Sequence, residues 1–479
     1  MNTPNLSYAE YQSILRTDFM SFIELAHSIL CPGERFVPSP YLELLASELE
    51  KCRLGATKRL LICLPPRSLK SHSTSVCFVA WILAHNPSAK IICASYAQQL
   101  AEKLALDTRK LMQSAQYQSL FATRLNPHKS ALHDFETTQS GGRRATSVGG
   151  ALTGLGADFI LVDDPTKIED LFSEVMRNGT NNWFDGTLRS RLNDKVNGCI
   201  IVIMQRAHQD DLVGHLLARD PDWKLLSLPA IAECDEHYLI QTPYGTKTFS
   251  RKEGEALHPE REPLSSLLKT REQTGSYYFS SQYQQNPTPV EGAMIKADWL
   301  MRFDLAAPPP PGYSQILQSW DTAHKSGELN DYSVCTTWRI VGDHYYLLHV
   351  LRQKLEYPQL KQKIISMAQE YKPKEVVIED KSSGIALIQD LSELRRFKLV
   401  PYTPPAGTDK TMRLFTQTDL FENGRILLPT QAPWLAEYEK ELLSFPGSKF
   451  DDQVDSTTQA LAHIREGSKT LRTWQALGR

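Results

Sequence analysis

The sequence has no apolar run fit to cross a bilayer, since stretches such as VCFVAWILA fall far short of the roughly 20 residues a spanning helix needs. It has no paired cysteines. Its eight, at positions 31, 52, 63, 77, 93, 199, 234 and 335, are scattered and form no C-x-x-C pair, which argues against a disulfide framework or a zinc site and predicts reduced core residues. It has no excess of one charge either. With 53 basic and 55 acidic side chains the formal net charge is −2, so bulk charge does not mark a nucleic-acid binder and any basic surface must be local. The N-terminus carries no secretory pattern, so a soluble cytosolic chain is expected, and 479 residues imply two or three domains.

One more shortage falls where the chain is most informative. Leu60 to Leu64 read as a buried parallel strand, followed by the turn Pro65-Pro66-Arg67-Ser68-Leu69, then Lys70-Ser71 and an apolar helix. Strand, loop, Lys-Ser and helix is the order of a phosphate-binding loop, in which backbone N–H groups wrap anionic oxygens, the lysine reaches the terminal phosphates and the hydroxyl meets magnesium. The pattern G-x-x-x-x-G-K-[ST] asks for glycine at positions 64 and 69, and this chain has Leu64 and Leu69. On its own, Lys-Ser at a helix start is more often an ordinary solvated cap.

The downstream pattern favours the loop. KIICASY reads as a second strand, AQQLAEKLALDTRKLMQ as an amphipathic helix, and DFILVDDP as a strand ending in Asp163 and Asp164. In a phosphate-loop ATPase the first such acid holds the magnesium shell and the second polarises water. A further strand, CIIVIM, ends in Gln205 and Arg206, which would lie along the ligand-binding edge of the same parallel sheet and sense the γ-phosphate, with a surface ion pair as the alternative. Upstream, FVPSPY offers an aromatic for an adenine pocket or simply for packing.

A proline run at 308–311 marks the best domain boundary. Beyond it come a strand ending in Asp321, a hairpin through Gly342-Asp343, a helix, a strand ending in Glu379, and a helix that starts with Asp451, Asp452 and Asp455. Asp452 and Asp455 share a helix face. Carboxylates at two strand ends and a helix start, in that order, predict a ribonuclease H-like fold. Such acids repel unless cations sit among them, and their oxygens select magnesium or manganese. Two ions about 4 Å apart would activate water and stabilise the leaving oxygen of a phosphodiester.

Seven stretches in order, PPRSLKS, RRATSVGGALTGLGADFILVDDP, IVIMQRAHQDDLVG, SQYQQNP, SWDTAHKSGELNDYSV, VVIEDKSSG and FDDQVDS, resemble the large terminase subunit of tailed bacteriophages, encoded by a phage or prophage. The resemblance covers nearly the whole chain. It implies an α/β protein in which a phosphate-loop ATPase with a doubly wound, largely parallel sheet translocates double-stranded DNA into a procapsid, and a ribonuclease H-like nuclease cuts concatemers. The domains expected are a helical segment 1–50, the ATPase 51–285, a proline-rich linker 286–313, the nuclease 314–466 and a basic mobile tail 467–479.

The resemblance implies ATP and Mg²⁺ as cofactors, with Mn²⁺ able to substitute in the nuclease. Pro66, Arg67, Ser68, Leu69, Lys70 and Ser71 would hold the nucleotide, with Arg67 aiding hydrolysis, Asp163 and Asp164 catalytic, and Gln205 and Arg206 coupling. Asp321, Glu379 and Asp455 would hold the nuclease metals, with Asp452 and Asp331 close by. Its implied partners are DNA, a small terminase subunit, the portal and other copies in a ring of about five subunits, with no membrane, in the cytoplasm of a bacterial host. Leu69 stands where the family usually has glycine, Asp164 where many members have glutamate, and Phe450 where a histidine is often found. These departures leave open a nuclease with a vestigial ATPase. A host repair or defence ATPase-nuclease and a non-catalytic scaffold are the two rival readings.

Overall fold

The computed structural model describes the chain except for residues 1–6, 132, 153, 288–293, 307–313, 323–331, 381–382, 394–396, 405–407, 448–449 and 478–479. The proline run and Asp331 lie outside the described residues. The chain forms two compact units, residues 1–288 and 289–479.

The first unit opens with three helices, α1 (Tyr8–Thr17), α2 (Phe19–Leu30) and α3 (Pro40–Arg53). Its eight strands are β1 (Arg59–Cys63), β2 (Lys90–Ser95), β3 (Leu125–Ser130), β4 (Asp134–Thr137), β5 (Gly142–Ser147), β6 (Phe159–Asp163), β7 (Cys199–Met204) and β8 (Lys224–Ser227). They run in the order β3-β4-β5-β2-β6-β7-β1-β8, parallel from β5 to β8 with an antiparallel edge at β3 and β4. The apolar runs of β1, β6 and β7 are almost wholly buried because helices cover both faces of a parallel sheet. A π-helical turn, His72–Phe78, leads from the loop into α4 (Val79–His85), and α5 (Gln98–Gln113) follows β2. A hairpin, β9 (Glu236–Thr242) with β10 (Gly245–Arg251), stands apart from the large sheet.

The second unit has a seven-stranded sheet of β11 (Met301–Phe303), β12 (Ser314–Asp321), β13 (Ser333–Val341), β14 (His344–Gln353), β15 (Glu375–Glu379), β16 (Lys398–Tyr402) and β17 (Ile426–Pro429), in the order β11-β17-β14-β13-β12-β15-β16. The β13–β14 hairpin turns at Gly342, whose φ of +59° suits glycine. β12 and β15 are parallel neighbours with Trp320 opposite Ile378, so Asp321 and Glu379 emerge side by side.

Two stretches at the expected boundaries carry regular secondary structure. Part of the expected linker, Met301–Phe303, pairs with β17 as an edge strand, because its backbone groups complete that sheet. The expected mobile tail continues a helix, Asp452–Leu477, whose backbone runs on through residues 467–477.

Candidate active sites

In the first unit the loop after β1 brings Lys70 and Ser71 against the end of β6. Ser71 Oγ donates to Asp163 Oδ1 at 3.0 Å and Ser75 Oγ donates to Asp163 Oδ2 at 2.6 Å. Lys70 Nζ lies 3.1 Å from Asp164 Oδ1, with both side chains largely shielded from solvent. Burial and the neighbouring Asp164 push Asp163 up to about 6, against the lowering effect of Ser75, Lys70 and Ser71. Burial makes the negative charge of this carboxylate costly, and a cation bound beside it would offset that cost.

The loop's shape explains its odd residues. Arg67 and Leu69 adopt φ of +61° and +57°, so Leu69 occupies the left-handed conformation for which the usual pattern supplies glycine. Leu64 is not in the loop proper; it is fully buried in the core. Ser68 Oγ donates to the Pro65 carbonyl at 2.8 Å, and Tyr41 OH donates to the Ser68 carbonyl at 3.1 Å, bracing the turn. Beside it lies a cavity of about 370 Å³, lined by Tyr41, Pro66, Arg67, His258, Arg261 and Tyr283 among others. His258 is buried with neither ring nitrogen hydrogen-bonded, and burial, with Arg261 beside it, holds its pKa below the usual value, so the ring is neutral.

Of the two residues after β7, the Gln205 N–H donates to Asp164 Oδ1 at 3.4 Å, while its side-chain oxygen is buried without a partner. Arg206 is locked onto the fully buried Asp211 at 2.7 Å, and Asp211 in turn caps the helix Leu212–Arg219 through Gly214 N–H. Arg206 therefore holds the segment after β7 in place by a buried ion pair, not the surface pair that its sequence left as the alternative.

In the second unit the helix Asp452–Leu477 crosses the ends of β12 and β13. Ser456 Oγ donates to the Ser319 carbonyl and Ser319 Oγ to the Ser456 carbonyl, both at 2.8 Å, while Thr336 N–H donates to Ser456 Oγ at 3.1 Å. These contacts bring Asp452 and Asp455 to Asp321 and Glu379. Burial, then the charges of Asp455, Glu379 and Asp452, raise Asp321 well above the carboxylate range, and burial with Glu441 and Asp451 pushes Asp452 up to about 6. The helix N-terminus is capped by Glu441, which accepts from Gln453 N–H at 2.7 Å and Val454 N–H at 3.2 Å, so Asp452 is spared that duty. Gly384 completes the frame, since a Cβ there would come within 2.0 Å of the Glu379 carbonyl.

Two cations already sit on this acid cluster. Lys410 Nζ is 2.6 Å from both Asp451 and Asp455, and an Arg413 nitrogen is 3.0 Å from Asp455 Oδ1. Asp455 Oδ1 nevertheless accepts no aligned hydrogen bond, which leaves an oxygen lone pair open to an ion. Hard carboxylate oxygens, buried and mutually repelling, fit a divalent cation.

The sequence matches the family model described as terminase large subunit, T4likevirus-type, N-terminal, over residues 61–302, about half the chain, and the terminase RNaseH-like domain over residues 318–464. The chain belongs to the large terminase family. Its first unit is the ATPase and its second the ribonuclease H-like nuclease of a viral genome-packaging motor. Among solved structures, the large terminase from a thermophilic bacteriophage is 11% identical, covers 87% of this chain and 98% of its own, and superposes with a TM-score of 0.50, a likeness of fold. The HK97 bacteriophage large terminase, 13% identical, covers 92% and 98% with a TM-score of 0.36. The large terminase nuclease from the thermophilic phage G20c, 15% identical, covers 36% and 98% with a TM-score of 0.28. The first of these three proteins has been solved with ADP and with ATP-gamma-S, and the G20c nuclease with cobalt and with zinc. No curated protein matches the sequence.

Within this terminase, the departures acquire contacts. Phe450 stands 4.7 Å from the Arg352 guanidinium, which also stacks 3.9 Å over Tyr332 and pairs with Glu437. Asp164 sits at φ +43°, turned toward Lys70. Ser75, Lys410, Arg413 and His258 escaped the sequence reading. Ser75 hides in a Ser/Thr run, and the other three are distant in sequence from the acids or loop they meet. Among the described residues no helix is long and apolar enough to cross a membrane.

Proposed function

We propose that residues 65–71 hold the phosphates of ATP, with Ser71 and Asp163 holding Mg²⁺, which neutralises charge on the phosphate oxygens. The observation that carries this reading is the meeting of Lys70 and Ser71 with Asp163 and Asp164 on one edge of the sheet. Lys70 exchanges Asp164 for the terminal phosphates, which frees Asp164 to accept a proton from the attacking water. Arg67, exposed at the loop, contributes charge to the same oxygens. The cavity beside Tyr41 and His258 takes the base, to which the neutral imidazole offers one donor and one acceptor. Gln205 reports the state of Asp164 through its backbone, and Arg206 keeps that segment rigid.

Asp321, Glu379, Asp452 and Asp455 hold the nuclease's Mg²⁺, with Mn²⁺ as a substitute, and the metal supplies an activated water and a stabilised leaving oxygen. Lys410 and Arg413 keep the acids together and give way where a metal binds. The chain works in the host cytoplasm with double-stranded DNA, a small terminase subunit and a portal, as a ring of about five copies. Protection of linear DNA from DNase in portal-bearing procapsids tests this reading: it is expected with ATP and lost in Lys70→Ala. Protection without ATP, or undiminished in Lys70→Ala, would contradict it, and ATP turnover with no protection would favour a host DNA-processing enzyme.

A further inference from the structure

The C-terminal end of α2 gathers three metal-ligating side chains far in kind from the two sites above. One ring nitrogen of His27, the Cys31 thiol and a Glu34 carboxylate oxygen all lie within 4.8 Å of one another. The spacing H-x3-C-x2-E has a local cause. His27 is in the last turn of α2, the Cys31 N–H donates to the His27 carbonyl at 2.8 Å, and the turn through Pro32 and Gly33 closes with the Glu34 N–H on the Cys31 carbonyl at 3.0 Å. The chain thus folds Glu34 back under the helix end. His27 is only 4% exposed, yet its Nδ1 is buried without a hydrogen-bond partner. An unsatisfied buried nitrogen is costly, and ligation of a metal through it would recover that cost.

We propose that His27, Cys31 and Glu34 form a metal site for Zn²⁺ or a similar borderline divalent cation. Imidazole, thiolate and carboxylate are the donor types zinc accepts, and three protein ligands leave its fourth position to water. Bonds of about 2.0–2.3 Å require the three donors to close in by about 1 Å, which the half-exposed Cys31 and exposed Glu34 can do by rotation. The charges match: thiolate and carboxylate balance a dication, and the last carbonyls of α2 add negative potential. The sequence pointed away from zinc because it has no C-x-x-C pair; the helix turn, bringing positions 27 and 31 together, supplies what the cysteine spacing lacks. The His27 ring stands 5.6 Å from that of His72, the residue after Ser71, whose Nε2 is likewise buried and unpartnered. A metal on His27 would therefore stiffen the packing behind the phosphate loop.

Cobalt(II) titration of the metal-stripped full-length protein separates this site from the others, because only a thiolate ligand gives the intense near-ultraviolet charge-transfer band. The expected result is a band saturating at one equivalent, displaced by zinc, absent in Cys31→Ser, and shifted to more than about tenfold higher cobalt in Glu34→Gln, since a direct ligand should matter no less than an outer one. Asp321→Asn should keep the band. No band in the unmodified protein, a band surviving in Cys31→Ser, such as one from the exposed Cys234, or a band lost in Asp321→Asn would each overturn the proposal.

Discussion

At the scale of single residues, the two sites differ in what neutralises their acids. Asp163 is held by two hydroxyls and Asp455 by two cations, which gives distinct expectations. With the base in the proposed cavity, removing the His258 ring would take away contacts made equally to bound and reacting nucleotide. His258→Ala should therefore raise KM for ATP by roughly tenfold, the equivalent of about 1.4 kcal/mol, with kcat nearly unchanged; an unaltered KM in steady-state kinetics would remove the base from that cavity. Burial disfavours a charged Lys410, but Asp455 and Asp451 hold it protonated above its ordinary range. Lys410→Ala should lower the Mn²⁺ concentration for half-maximal plasmid cleavage by roughly threefold to tenfold, about 1 kcal/mol for a half-buried ion pair. A higher requirement would make Lys410 a positioning residue for the acids.

The raised carboxyls set a pH dependence of definite sign. Asp321 and Asp452 bind protons more tightly when folded than unfolded, so in the metal-free nuclease unit their contribution to stability is present at low pH and is lost as pH rises from about 4, through about 6 for Asp452 and further for Asp321, which is held well above the carboxylate range. Metal ions replace those protons. The gain in melting temperature from Mn²⁺ over chelator should be small near pH 5 and grow toward about pH 8, and a gain independent of pH would show that these acids are not the ligands.

At the scale of elements, what was legible follows burial. β1, β6, β7, β12 and β15 carry apolar runs that announce the strands themselves, and β6, β12 and β15 also announce the acids at their ends. β3 to β5 did not, because Arg143 and Arg144 interrupt β5 and the glycines in and around it look like loop. The hairpin of β9 and β10 is largely exposed, so its apolar residues do not alternate cleanly. Lys410 and Arg413 were illegible for another reason: only the register of a helix against Asp455 gives them meaning. The element that most determines the nuclease site is the helix Asp452–Leu477, pinned by Ser456. Ser456→Ala would strand the Ser319 carbonyl and the Thr336 N–H in the interior. A loss of about 2 kcal/mol is expected, lowering the nuclease unit's melting temperature by about 4–8 °C, and cleavage should fall with it. Unchanged melting would mean that the helix is held elsewhere.

At the scale of the whole molecule, the chain carries two chemistries on two units, each with its own core. The family assigns the pair of activities; we place each on a separate cluster of acids, the first beside a loop that has leucine where glycine is usual. The most direct measurement is a parallel assay of DNA-stimulated ATP hydrolysis and Mn²⁺-dependent plasmid cleavage by the full chain, Lys70→Ala and Asp321→Asn. The expected outcome is a double dissociation, in which Lys70→Ala loses ATP turnover and keeps cleavage while Asp321→Asn does the reverse. ATP turnover that survives in Lys70→Ala, or is absent from the unmodified chain with DNA and its small subunit present, would contradict an active ATPase built on the leucine-bearing loop.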